Sequence, residues 1–283
     1  MTILMTGLCE KGADQIWKQC NDAMYAQGVT WLEEAAYAGD AEAWFFLGHC
    51  YSWGDGAVGF NEKKAYECYL RGASAGSARA VLGALRAGQY DEQMKQSARY
   101  SIEESYRQVR DAAEMGDVYA AWQMGEAVEW EDLADYMPQT ESAREQCLFW
   151  YERAADGGII PAMVKMGKCC QNGTYREKDE KEALRWANQC AASGEVWGLF
   201  QMGEHYRQEE DWEAAFQYDY AAAKQGSSRA MLYLGQMYLN GQGTERDIQA
   251  AVQALEGAAA RNEAESFEEL GNLFYQDELV ERD

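Results

Sequence analysis

The chain has 283 residues, of which 47% are hydrophobic and only two are proline, so it is long enough to bury a large core. Its 48 acidic and 25 basic residues give a formal net charge of -23, which argues against direct binding to nucleic acid or to an anionic membrane surface, because both need a basic surface. No run of about eighteen apolar residues predicts a membrane-spanning helix, and the N-terminus lacks the regions of a secretory signal, so a cytoplasmic location is expected.

A short sequence motif, called here the repeat phrase, recurs along the chain and sets the order of the predicted elements. It is a small residue, usually Ala, then three variable residues, Leu or Met, and finally a Gly that lies nine residues after another Gly or Asn. The phrase ends at the marker residues Gly48, Gly125, Gly167, Gly203, Gly235 and Gly271, and a degenerate copy has Leu85 in place of the marker Gly. These seven markers lie 32 to 42 residues apart, a period that predicts a solenoid of stacked repeats.

Each repeat predicts two antiparallel helices, A and B. In the first copy Leu47, Gly48 and Tyr51 share one side of helix A, and we expect Gly48 to admit a close approach by another helix backbone. The glycines of the segment 53–56 end this helix. Helix B follows over 62–73 with apolar or small residues at helical spacing, and 143–155 and 181–191 repeat that pattern.

These residues resemble the Sel1-like repeat family, a relative of tetratricopeptide repeats, whose motif is Ala, Leu-Gly, Tyr, Gly-x-Gly, then Lys-Ala, Trp-Tyr and Ala-Ala. The resemblance covers residues 20–276 and is strongest in the copies that begin at Ala43, Ala162 and Ala230. It implies an all-α fold, an α/α right-handed superhelical solenoid of about seven helix-pair repeats. The expected organisation is a single domain over 1–283, with N-terminal helices or a cap at 1–42, repeats at 43–276 and an acidic tail at 277–283. The family also implies a bacterial adaptor or binding surface rather than a catalyst.

The cysteines and histidines give little support for a metal site, a cofactor or catalysis. Eight cysteines are placed irregularly among the repeats, which favours buried free thiols in a reducing compartment. Cys169 and Cys170 are adjacent, but there is no Cys-x-x-Cys and the only histidines are His49 and His205, so no metal is expected. Two histidines in different repeats offer no local pair of base and nucleophile, and an enzyme is the weakest hypothesis.

A candidate binding surface follows from positions within the repeat. If the marker side of helix A faces helix B, the residues three before the marker and one, four and five after it should line the concave face. Trp53 and Trp130 lie near helix ends, where packing demands are weaker, whereas the recurrence of aromatic residues three before the marker is equally compatible with packing between repeats. The candidate protein-binding residues are Phe45, His49, Trp53, Trp122, Glu126, Glu129, Trp130, Phe200, Glu204 and Arg207.

Aromatic residues set among carboxylates suit a basic protein or peptide as partner. We therefore expect a non-catalytic binding protein that sequesters or scaffolds one partner, with an immunity protein against a basic toxin, such as a nuclease, as a specific version. The alternative is a regulatory adaptor in a bacterial signalling or secretion system, with several weakly bound partners. The acidic excess is also compatible with a role in solubility alone.

Overall fold

The computed structural model describes residues 2–18, 22–54, 58–130 and 143–275, and over these residues the chain forms sixteen α-helices and no strand. The all-α helical repeat fold is thus confirmed. The chain divides into two compact units, Met1–Asp179 and Glu180–Asp283. In the described ranges, none of the helices combines the length and the apolar character that a membrane crossing requires. The predicted acidic tail, 277–283, lies outside the described residues.

The first unit is built of helices that pack in pairs. Its helices are α1 (Thr2–Trp17), α2 (Asp22–Tyr37), α3 (Ala41–Trp53), α4 (Glu62–Ala75), α5 (Ala78–Arg86), α6 (Glu92–Ser97), α7 (Ile102–Glu114), α8 (Val118–Glu129), α9 (Ala143–Asp156) and α10 (Ile160–Asn172). Helix α1 packs on α2, α3 on α4, α5 on α7 and α8 on α9. The predicted A helices of this unit are therefore α3, α5, α8 and α10, and the N-terminal segment adds a further pair, α1 and α2.

The second unit continues the same arrangement. Its helices are α11 (Glu180–Ala192), α12 (Val196–Gln208), α13 (Trp212–Lys224), α14 (Ser228–Asn240), α15 (Ile248–Ala259) and α16 (Ala264–Tyr275). Helix α12 packs on α13, α14 on α15, and α15 on α16. The markers at 203, 235 and 271 lie on α12, α14 and α16, as the repeat phrase predicts.

The residues that precede each A helix explain where the helices begin and end. The backbone adopts a positive φ at Gly39, Gly116, Gly158, Gly194, Gly226 and Asn262, the residues nine before the markers. Gly and Asn tolerate this left-handed conformation best, so the chain leaves one helix and turns into the next at these points. The Asp40 and Asp117 side chains then accept hydrogen bonds from backbone N–H groups at the starts of α3 and α8.

The marker glycines make room for a side chain of helix B. A Cβ atom on Gly48 would lie 2.6 Å from the ring of Tyr69, and one on Gly125 would lie 2.8 Å from the ring of Tyr151. In the second unit the corresponding neighbours are Asp219 beside Gly203 and Leu255 beside Gly235. The close approach predicted at Gly48 is real, but its partner is an aromatic side chain rather than a helix backbone.

Candidate protein-binding site

Two exposed tryptophans and an arginine meet where three A helices of the first unit end. Trp53 is the last residue of α3, Arg86 is the last of α5, and Trp130 caps α8. The guanidinium carbon of Arg86 lies 5.2 Å from the centroid of the Trp53 ring and 5.3 Å from that of Trp130. Trp53 is 51% exposed and Trp130 is 63% exposed. We call Trp53, Arg86 and Trp130 the aromatic rim.

A carboxylate fixes the arginine of the aromatic rim. Arg86 donates a hydrogen bond from Nη2 to Oε1 of Glu126 at 3.1 Å, and Oε2 of Glu126 lies 4.0 Å from Nε2 of His49. The Glu126 and Arg86 side chains are largely buried. Because the C-terminal end of a helix carries partial negative charge, three such ends together favour a cation at this place. The aromatic rim thus combines two exposed indoles with an arginine whose charge is balanced by Glu126 and by the helix ends.

The interior beside these helices is filled by aromatic side chains. The ring of Trp17, at the end of α1, lies 5.2 Å from Phe46, 5.5 Å from His49 and 5.8 Å from Trp122. His49 and Trp122 lie 4.7 Å apart and link α3 directly to α8. Phe45, His49 and Trp122 are consequently buried. Packing between repeats was the alternative left open for Phe45 and Trp122, and the structure places both side chains in a core. The expected exposed position of His49 is wrong, because α1, α3 and α8 come close enough to bury it.

The position four residues after the marker faces helix B. Glu129 accepts a hydrogen bond from the Tyr151 hydroxyl at 2.7 Å and also pairs with Lys165. Ser52, at the same position in the first copy, donates to the Tyr69 hydroxyl at 3.2 Å. Burial, together with the nearby carboxylates, raises the pKa of Tyr151, so its hydroxyl stays protonated and donates a hydrogen bond to Glu129. Glu129 therefore joins helices α8 and α9 rather than facing a partner.

The candidate protein-binding residues of the second unit lie on α12, where Arg207 joins this helix to its neighbours. Arg207 forms an ion pair with the fully buried Asp219 of α13, and its guanidinium carbon lies 3.7 Å from the centroid of the Tyr233 ring and 5.6 Å from that of Phe200. Burial raises the pKa of Asp219 to about 6, although Arg207 opposes the shift. Phe200 and Glu204 are half-buried, and their contact with a partner stays a prediction.

Arg86 is the residue of the rim that the positional analysis missed. It lies one residue after Leu85, the same offset that places His49 and Glu126 relative to their markers. The degenerate copy lacks the marker Gly, and the candidate protein-binding residues come only from copies that have it. The same rule applied to all seven copies would have identified Arg86.

Carboxylates gather at the opposite ends of the same helices. A groove of about 530 Å³ lies between α1 and the N-terminal ends of α3 and α8. Arg79 crosses it, paired with Asp117 and lying 3.6 Å from Glu42 through its Nε. The groove holds more acidic than basic side chains; its charged residues are Glu10, Asp14, Lys18, Asp40, Glu42, Arg79 and Asp117.

The described cysteines are buried, as the sequence predicted; they are Cys9, Cys50, Cys68, Cys147, Cys169, Cys170 and Cys190. Cys20 lies outside the described residues. Over the part of the chain that the structure describes, no three His, Cys, Asp or Glu side chains are arranged to hold a metal ion.

Three known proteins show similarity to the chain. An uncharacterised protein of Neisseria meningitidis serogroup B is 28% identical over 174 residues, which are 60% of this chain but only 34% of that relative. A protective antigen of uropathogenic Escherichia coli with an SLR fold has a TM-score of 0.52 at 20% identity, over 99% of this chain and 66% of that one. A Sel1 repeat protein of Oxalobacter formigenes has a TM-score of 0.46 at 22% identity, over 95% of this chain and 86% of that one. At 20% identity the Escherichia coli structure bears on the fold alone.

The model of the Sel1 repeat matches five segments of the chain: 23–40, 41–77, 118–159, 160–195 and 228–262. Together these segments make up more than half of the sequence. The first lies on α2, so the matched part of the chain begins before the first predicted repeat. The chain belongs to the Sel1 repeat family.

Proposed function

We propose that this protein binds one partner protein without catalysing a reaction, and that it thereby sequesters or scaffolds that partner. Proteins built from Sel1 repeats generally mediate protein–protein interactions. The observation that carries the proposal is the aromatic rim, in which Trp53 and Trp130 are each at least half exposed on either side of Arg86.

The geometry of the aromatic rim suits an interface hot spot. Tryptophan and arginine are enriched among the residues that contribute most to binding, and large exposed apolar groups that lie together commonly mark interaction sites. Arg86 is held by Glu126, so it can keep both indoles in place before a partner arrives. A site ordered in advance loses less conformational entropy on binding.

The partner that we propose is a basic protein. The net charge of -23 and the carboxylates of the groove between α1, α3 and α8 would attract positive charge and speed association. Neutralisation of a basic toxin, such as a nuclease, is the specific version of this proposal. The irregular placement of the cysteines and the burial of the described ones support a reducing compartment, the cytoplasm, as the place of action.

Co-purification from the native host tests this function. The tagged full chain should retain a single basic protein at a fixed stoichiometry, and the double variant Trp53→Ala/Trp130→Ala should lose it. Tyr37→Ala serves as the matched control, because Tyr37 is also an exposed aromatic residue, 75% exposed, but lies on α2. A changing set of weakly held proteins would instead support the adaptor role. A partner retained equally by the rim variant would place the site elsewhere.

A further inference from the structure

We propose that the aromatic rim receives an arginine side chain of the partner, stacked on the exposed surfaces of Trp53 and Trp130. The inference rests on the proposed function, since it concerns the same site. Arg86 already lies against both indoles, with its guanidinium carbon 5.2 and 5.3 Å from the two ring centroids. The remaining surface of each indole is open to solvent, at 51% and 63% exposure.

The charges around the rim favour a cation as the occupant, because Glu126 already balances the charge of Arg86. Helices α3, α5 and α8 all end at the rim, and the C-terminal end of a helix favours positive charge. The faces of the indole rings carry the negative part of the aromatic quadrupole and attract cations as well. The overall charge of -23 acts in the same direction.

The chain itself indicates why the cation should be a guanidinium. Arg207 repeats the arrangement of Arg86 in the second unit: it lies against two aromatic rings, Phe200 and Tyr233, and pairs with a carboxylate, Asp219. In both places the cation comes from the end of an A helix. A planar and weakly hydrated guanidinium stacks on an aromatic face more readily than a strongly hydrated ammonium. We therefore expect the rim to prefer arginine to lysine.

Two probe peptides test this preference on the full-length protein. One peptide carries two arginines and the other two lysines at the same positions, and each is titrated at roughly 0.15 M salt to screen long-range attraction. Indole N–H signals of the tryptophan-labelled protein report binding, with the Trp53 and Trp130 signals assigned from single Trp→Phe variants. The arginine peptide should shift these two signals, and each Trp→Ala change should weaken its binding roughly two- to fivefold. The lysine peptide should bind more weakly and without dependence on either tryptophan.

Control variants separate the possible outcomes. Tyr37→Ala should leave the affinity for the arginine peptide unchanged, and circular dichroism checks that each variant is folded. Equal binding of the two peptides, unaffected by Trp53→Ala or Trp130→Ala, would overturn the inference and leave only a general attraction of cations. If the native partner still required both tryptophans in that case, the proposed function would stand while the arginine preference failed. If the partner required neither, both would fail.

Discussion

Tryptophans on the same helix have opposite environments in this protein. Trp122 and Trp130 both belong to the α8 segment, yet Trp122 is buried against Trp17 and His49, whereas Trp130 is exposed beside Arg86. The difference follows from position, because the middle of α8 faces neighbouring helices and its end does not. A residue near the end of an A helix is therefore a better candidate for binding than one in its middle.

Replacing each of these two tryptophans by alanine should change the stability of the protein to different extents. Trp122→Ala should lower the free energy of unfolding by about 3–5 kcal/mol, because it leaves a cavity in the aromatic interior. Trp130→Ala should change it by less than about 1 kcal/mol, since only an exposed contact with Arg86 is lost. Urea denaturation measures both. Equal losses for the two variants would contradict the division between core and rim.

The buried thiols should be unreactive in the folded protein. Burial raises the pKa of Cys68 and that of Cys147 to about 12, above the ordinary value of 9.0, so both thiols stay protonated at pH 8. Mass spectrometry after labelling should find these two cysteines modified slowly in buffer and rapidly in urea. The raised pKa values also stabilise the fold fully below about pH 9, and this stabilisation should be lost as the pH rises towards 12. Rapid native labelling at both sites would disprove the assignment.

Within each helix pair, a contact between helix A and helix B recurs at one position, but the side chains that form it differ in chemistry. The residue four after the marker meets helix B through Ser52 and Tyr69, through Glu129 and Tyr151, and through Arg207 and Asp219. In the pair α14 and α15 the same position is apolar, and Leu239 packs on the cluster that contains Leu255. The fold accepts two hydroxyls, a hydroxyl with a carboxylate, an ion pair or two leucines at this position, provided that the two side chains match.

The Arg207–Asp219 pair allows a test of this matching. Replacing either residue alone by leucine should destabilise the second unit by about 3–5 kcal/mol, because the other charge is left buried without its counter-ion. The double variant Arg207→Leu/Asp219→Leu reproduces the leucines of α14 and α15, and its stability should equal or exceed that of the parent. Urea denaturation of the four proteins gives the coupling. A double variant that loses the sum of both single effects would contradict the matching rule.

The marker glycines offer a second test at this scale. Gly48→Ala should lower the free energy of unfolding by about 1–3 kcal/mol, because the added methyl would overlap the Tyr69 ring. Gly271→Ala is the matched control on α16, where nothing lies within 4 Å of the new Cβ. Since alanine is the better helix former, that change should raise stability by about 0.5–1 kcal/mol. If thermal denaturation shows a gain for both, the marker is not a packing requirement.

For the whole molecule, the spacing of the markers predicted the succession of helix pairs because each repeat carries its own local signals. The filled interior of the first unit was not predictable in this way. It depends on direct ring contacts between α1, α3 and α8, although α3 and α8 belong to copies that are separated by the degenerate copy on α5. Arg86 lay in the one repeat whose marker is degenerate. The exposed Trp53 and Trp130 were found because helix ends are marked by the sequence itself.

The central claim is that the protein binds its partner through the aromatic rim. Calorimetric titration of the native partner with the parent protein, with Trp53→Ala/Trp130→Ala and with the Tyr37→Ala control tests it most directly. If Trp53 and Trp130 are hot spots, each should contribute about 2 kcal/mol or more, so loss of one should weaken binding roughly thirtyfold and loss of both considerably further. Tyr37→Ala should bind like the parent. A folded double variant that binds the partner as tightly as the parent would contradict the account.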